Sequence, residues 1–233
     1  MNILVTGASK GIGKEIANYL GKKNEIFAVA RSEELLKKYK NYFVCDLSNQ
    51  ENLIKLGEYI RENKIDVIIN NAGEYIYSKA ENIKLEQLNH IMELNLKAPL
   101  YIISSAIPYM KLQKYGRIVN IGSISGVMGE ANASLYSATK SGLIGATKAL
   151  ALELAEYNIT VNTINPGGVD TDLGNSSIDD SEFSKSEIID CIPQKRFVEP
   201  KEVASMVNYL ISDDAKGVTG QSINLCAGLS VGY

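Results

Sequence analysis

Apolar runs at 3–6, 26–30, 42–45, 66–70, 117–121, 159–164 and 222–225 are short, bounded by turn residues and rich in Val and Ile. Runs of this kind are what strands covered on both faces require. Between them, positions near 12–22, 32–39, 49–63, 85–113, 134–157 and 200–212 carry the three-to-four-residue spacing of helices. Strand and helix alternate throughout. The pattern predicts a single doubly wound Rossmann-type α/β domain over residues 1–233, with a seven-stranded parallel sheet and helices on both faces. The one break is 172–196, rich in Ser, Asp, Glu and Asn.

Composition narrows the function. With 45% hydrophobic residues the 233-residue chain can bury a substantial core. A net charge of −3 and a pI near 5.4 argue against nucleic acid as a partner. No apolar run reaches the roughly 18 residues of a membrane span, and the first strand starts at residue 2 or 3, which argues against a signal peptide. Cys45, Cys191 and Cys226 are odd in number and lack C-x-x-C spacing, so neither disulfides nor zinc are expected. A cytoplasmic protein is expected, and the sequons at Asn132, Asn158 and Asn175 are then incidental.

Two segments carry chemistry. In NILVTGASKGIG a strand runs into a turn containing Gly7, Gly11 and Gly13 and then into a helix. Glycines there permit a tight turn and let backbone approach a pyrophosphate at the positive end of the helix. The spacing is G-x-x-x-G-x-G, not the more familiar G-x-G-x-x-G. In NIGSISGVMGEANASLYSATK, Tyr136 precedes Lys140 by four residues and Ser123 precedes Tyr136 by thirteen. Positions four apart share a helix face. An ammonium about 4 Å from a phenol contributes roughly 4 kcal/mol at an effective dielectric near 20. That would lower the phenol pKa by up to about 3 units, toward the range where general acids work best. The alternatives are weaker. GSISG places Ile124 where a nucleophile elbow needs Ser, and His90 is the only histidine, so a Ser–His hydrolase is not supported.

Together with N-N-A-G at 70–73, Asn95 in MELNLKAP and Pro166-Gly167, these motifs resemble the short-chain dehydrogenase/reductase family over nearly the whole chain. GRIVNIGS, YSATKSGLIGATKALA and ITVNTINPG are most similar to the bacterial 3-oxoacyl-[acyl-carrier-protein] reductase branch. The resemblance implies a metal-free hydride transfer. Tyr136 would give the proton, Ser123 would hydrogen-bond the same oxygen, and Lys140 would bind the nicotinamide ribose. Asn95 would bend its helix and hold a water in a proton relay from Lys140. A non-catalytic nucleotide-sensing relative is the remote alternative, since such relatives usually lack the Tyr or Lys. Further implied are a mobile substrate lid at about 172–196 and a homotetramer, alternatively a dimer, assembled through 85–113 and 134–157. Ala227 departs from the family, which often has glycine at that place.

The implied cofactor contacts are Gly7, Ser9, Lys10, Gly11, Ile12 and Gly13 in the first turn, and Asp46 with Leu47 at the adenine. Asn71 and Ala72 would lie beside the adenosine ribose, Val169 and Thr171 would fix the carboxamide, and Gly73, Tyr136, Lys140, Pro166 and Gly167 would also touch the cofactor. NAD enzymes place an acid about 20 positions beyond the glycine turn. Here that place is Ala30, followed by Arg31. A guanidinium grips a 2′-phosphate that a carboxylate would repel, so with Lys10 the expected cofactor is NADPH/NADP+. The expected substrate is a small ketone or a 3-oxoacyl thioester on acyl carrier protein. A basic group at Lys111, Lys114 and Arg117 is read as rim cations for an acidic carrier. Tyr157 stands where that branch tends to carry a further cation. A coenzyme A thioester, a sugar or another ketone is therefore the alternative substrate.

Overall fold

The computed structural model describes residues 1–171, 174 and 184–231. Its seven strands are β1 (Asn2–Thr6), β2 (Glu25–Ala30), β3 (Asn41–Val44), β4 (Val67–Asn70), β5 (Gly116–Ile121), β6 (Ile159–Pro166) and β7 (Ser222–Leu225). They form one parallel sheet in the order β3-β2-β1-β4-β5-β6-β7. The order reverses between β1 and β4, which opens a crevice at the carboxyl ends of the strands, where such sheets bind ligands.

The continuous apolar runs are explained by the two faces. Ile3, Val5, Ala28, Ala30, Val67 and Ile69 point to one side, where helices α1 (Gly11–Leu20) and α9 (Pro200–Leu210) cover them. Leu4, Phe27, Val29 and Ile68, the alternate residues, meet α3 (Gln50–Glu62) and α5 (Ala98–Gln113) on the other. With side chains alternating along each strand, both sets must be apolar. Burying one such side chain contributes about 1.5–3 kcal/mol. Helix α7 (Ser134–Leu154) shares the second face, with Tyr136, Lys140, Leu143, Thr147, Ala151 and Leu154 on its buried stripe. The spacing of three and four that makes this helix also carries Tyr136 and Lys140 inward.

Several boundaries differ from the sequence expectation. The helix expected over 32–39 is a single turn, α2 (Glu33–Leu36). The long helix expected over 85–113 is broken into α4 (Leu85–Met92), a π-helical turn at Glu93–Lys97, and α5. Short helices α6 (Ser125–Met128) and α8 (Lys185–Cys191) were not legible from periodicity, since one or two turns carry too little pattern. Of the expected lid, residues 172, 173 and 175–183 lie outside the described residues, and 184–196 hold α8 and the turn after it. Among the described residues no helix is long and apolar enough to cross a membrane.

Ala227 has φ +52°, in the left-handed region. A side chain there costs roughly 1–2 kcal/mol, part of which glycine returns as unfolded-chain entropy. Ala227→Gly is therefore expected to stabilise the protein by about 0.5–1 kcal/mol and raise Tm by about 1–4 °C. Differential scanning calorimetry checks this; a lower Tm would mean that the lost methyl contact outweighs the strain.

Candidate active site

The glycine turn packs against the loop after β4. Thr6 Oγ1 accepts hydrogen bonds from the backbone N–H groups of Asn71 and Ala72, both at 3.0 Å, and Asn71 Nδ2 donates to Thr6 O at 2.9 Å. Gly7 has φ +67°, and a Cβ on Gly13 would lie 2.3 Å from Gly7 O. The turn can thus be this tight only with glycine at both places. Lys10 precedes α1 without a side-chain cap, and the first helical turn holds no acid. The free N–H groups and the dipole at such a helix start favour an anion. Thr171 arrives from the far side of the crevice, its Cγ2 3.5 Å from where a Gly11 Cβ would sit. The fit to a pyrophosphate is good.

At the other end of the crevice stand the four residues to which the resemblance assigns catalysis. Ser123 follows β5, Tyr136 and Lys140 lie one turn apart on α7, and Asn95 sits in the π-helical turn. The π turn places Asn95, 1% exposed, against the loop after Gly73. Its Oδ1 accepts from Glu74 N at 3.0 Å, while Nδ2 donates to Glu74 O at 2.8 Å and to Thr139 Oγ1 at 3.3 Å. Single π-helical turns inside α-helices are often found at functional sites; here the asparagine in the turn pins a neighbouring loop. Lys140 Nζ donates to Ile121 O at 2.9 Å and lies 5.5 Å from the centre of the Tyr136 ring. A Cβ on Gly73 would be 3.6 Å from that Nζ and 3.1 Å from Asn95 Oδ1, so only glycine leaves this space open.

The electrostatics differ from expectation. Tyr136 was expected to be lowered by Lys140. Instead burial pushes the phenol up to about 12, opposed by the neighbouring Ser123 side chain and reinforced by the Glu130 carboxylate. Burial also lowers Lys140 to about 8. Desolvation acts on both charged forms at once, and in this site it is the largest cause for each.

A buried polar ladder supports these residues from below. Asn70 Nδ2 donates to Asn120 Oδ1, Asn120 Nδ2 to Thr147 Oγ1, and Thr147 bonds Thr163, at 2.9, 2.9 and 2.7 Å. It ties β4, β5, β6 and α7 together one layer beneath the crevice. A second network escaped sequence reading. Ser123 Oγ donates to Ser125 Oγ at 3.1 Å, Ser125 Oγ to Glu130 Oε2 at 2.5 Å, and the Tyr75 hydroxyl to Glu130 Oε1 at 2.7 Å. The Tyr75 ring meets Tyr136 edge-on at 5.1 Å. Nothing in spacing marks Tyr75 or Glu130, because they meet across 55 residues.

The remaining expected residues fall into place unevenly. Ser9 and Ile12 are half-buried in the first turn, and Leu47 is buried after β3. Asp46 is exposed and its Oδ1 accepts from Ser48 N and Oγ, which, with Arg31 and His90 nearby, hold its carboxyl below the ordinary value. Pro166 ends β6, Gly167 passes 3.0 Å from the Cys226 Cα as judged from its Cβ position, and Val169 is buried. Arg31 reaches across the crevice to Glu74, with Nη1 to Oε1 3.1 Å, and His90 Nε2 holds Glu74 Oε2 at 2.8 Å. The expected rim cations do not form a rim. Lys111, Lys114 and Arg117 lie at the amino end of β5, whereas Ser123 follows its carboxyl end. Arg117 is 1% exposed, donates to Gly116 O and Asn158 O, and lies over the Tyr115 ring. Among the described residues no cluster of His, Cys, Asp and Glu could hold a metal.

The family model of the short chain dehydrogenases matches residues 1–182. The chain belongs to the short-chain dehydrogenase/reductase family. The 3-oxoacyl-[acyl-carrier-protein] reductase of Staphylococcus epidermidis is 36% identical over 240 residues, covering 97% of each chain. That of Rickettsia felis is 36% identical over 234 residues, covering 97% of this chain and 95% of its own. Among solved structures, an actinorhodin polyketide ketoreductase with NADPH is 36% identical, with TM-score 0.93, over 100% of this chain and 97% of that one. The aldohexose dehydrogenase of Thermoplasma acidophilum is 31% identical, with TM-score 0.90, over 100% and 94%. The chain is thus a short-chain oxidoreductase.

Proposed function

We propose that the protein reduces a ketone with NADPH, and that the ketone is a 3-oxoacyl thioester carried on acyl carrier protein. The observation that carries the reading is the convergence of Ser123, Tyr136, Lys140 and Asn95 at one end of a crevice whose other end is the tight glycine turn before α1. NADPH, when bound, supplies the hydride. Tyr136 protonates the developing oxyanion, and Ser123 turns its hydroxyl from Ser125 to the same oxygen. Lys140, 4% exposed, holds the ribose and gives the phenol a cation to lean on once hydrogen-bonding partners reach it. Asn95 keeps the loop at Glu74 in place and would hold a water in a proton relay from Lys140 to solvent. Arg31 and Lys10 take the 2′-phosphate.

The substrate rests on the names of the relatives, not on Lys111, Lys114 and Arg117. One observation favours a second reading. The carboxylate of Glu130 and the hydroxyl of Tyr75 close a polar bridge beside Ser123 and Tyr136. A hydroxylated ketone, such as a keto-sugar, would replace those bonds; an alkyl chain would not. The test is NADPH oxidation with acetoacetyl-carrier protein, acetoacetyl-CoA and a set of keto-sugars. Turnover of the carrier-bound thioester is expected. Turnover of a keto-sugar with neither thioester reduced would sink the thioester reading and leave hydride transfer standing. We further propose a cytoplasmic homotetramer, alternatively a dimer, joined through α5 and α7, whose Leu112 and Leu152 are 83% and 86% exposed.

A further inference from the structure

Glu74 holds a position that neither the catalytic nor the phosphate-binding assignment uses. Its backbone is clamped at both polar atoms by Asn95. Its carboxylate is divided between two partners, Oε2 to His90 and Oε1 to Arg31. Arg31 follows the end of β2 and Glu74 follows β4, with β1 between them in the sheet. The ion pair therefore spans the part of the crevice above β1. The Arg31 side chain is 66% exposed and leaves its own strand to reach the acid.

We propose that Glu74 competes internally with the 2′-phosphate of the cofactor for Arg31, and so sets how strongly the protein distinguishes NADPH from NADH. This rests on the assignment of Arg31 to that phosphate. The guanidinium offers its fork to one anion or the other. Glu74 cannot follow when Arg31 turns to a phosphate, because Asn95 holds its backbone and His90 its second oxygen. Binding NADPH then exchanges an existing ion pair for a new one at the 2′-phosphate, whereas NADH brings no anion to that place. The competition therefore falls on NADPH. His90 is a positioning residue for the carboxylate, as Glu74 is for Arg31.

The test is the dissociation constants of NADPH and NADH, read from the enhancement of nicotinamide fluorescence, for the wild type, Glu74→Gln, Arg31→Gln and the double variant. Glutamine keeps the backbone clamp and a hydrogen-bonding partner for His90, and the melting temperature checks that the loop is intact. Glu74→Gln is expected to tighten NADPH by about twofold to fivefold at low salt, the range of exposed ion pairs, with less gain at high salt. NADH should be unchanged, and the gain should vanish in the Arg31→Gln background. Unchanged or weaker NADPH binding would overturn the proposal. So would equal tightening of both cofactors, or a gain that persists without Arg31. If Arg31→Gln alone leaves NADPH binding unaltered, the assignment of Arg31 to the phosphate fails and the competition with it. If that variant weakens NADPH while Glu74→Gln does not tighten it, only the competition fails.

Discussion

Tyr136→Phe is expected to lower kcat by about 10²–10⁴, the usual worth of a positioned general acid, while the dissociation constant for NADPH changes by less than about threefold. The substitution removes one oxygen from a ring that stays packed against Tyr75 and beneath Lys140. That oxygen acts on the transition state, so its loss falls on kcat and kcat/KM together and not on cofactor binding. The ring is 9% exposed and keeps its contacts, so the fold should tolerate the change. Stopped-flow turnover and a cofactor titration on the same sample separate the two effects. A variant that works near the wild-type rate would show that the proton comes from elsewhere. The phenol stands at about 12 in this structure, so it is fully protonated at neutral pH and starts as the acid that reduction needs.

Lys140→Met is expected to abolish turnover and yet make the protein more stable at neutral pH. Lys140 is 4% exposed and its Nζ donates to a single carbonyl, Ile121 O. Burial lowers its pKa from 10.5 to about 8. A group shifted this way disfavours the folded state while it is protonated. The penalty is fully present below about pH 8 and fades as pH rises toward 10.5. The shift corresponds to roughly 3 kcal/mol, and an unpartnered Ile121 carbonyl would take back about 1 kcal/mol or more. A net gain of about 1–2 kcal/mol would raise Tm by about 2–8 °C for a chain of this size. Melting curves of both proteins from pH 7 to 10 check the sign: the advantage of Met should shrink as pH rises. Equal or lower stability of the variant at pH 7 would mean that the ammonium is well solvated where it stands. Such a penalty retained at a functional position is the usual exchange of stability for activity.

Much of the fold is legible in the sequence because short-range physics fixes it. Strand positions were legible since both faces of a parallel sheet are covered, which demands unbroken apolar runs such as Ile3–Val5 and Val67–Ile69. The glycine turn was legible because positive φ at Gly7 and the 2.3 Å approach at Gly13 allow no other residue. Tyr136 and Lys140 were found to share a face because four residues make about one helical turn.

What the chain order could not convey was decided by packing. The π-helical turn at Glu93–Lys97 looks helical in sequence; it exists because Asn95 bonds a loop that returns from β4. Whether Lys111, Lys114 and Arg117 rim the site depends on which end of β5 they stand at; the last turn of α5, its C-cap and the first residues of β5 put them at the end away from Ser123, with Arg117 buried. The direction in which the pKa values of Tyr136 and Lys140 move is decided by desolvation, which depends on everything packed around them and not on their mutual spacing. The Tyr75–Glu130 bridge and the Arg31–Glu74–His90 cluster join residues from separate strands and loops. Periodicity sees one element at a time, so contacts between elements become visible only when the sheet brings their ends together.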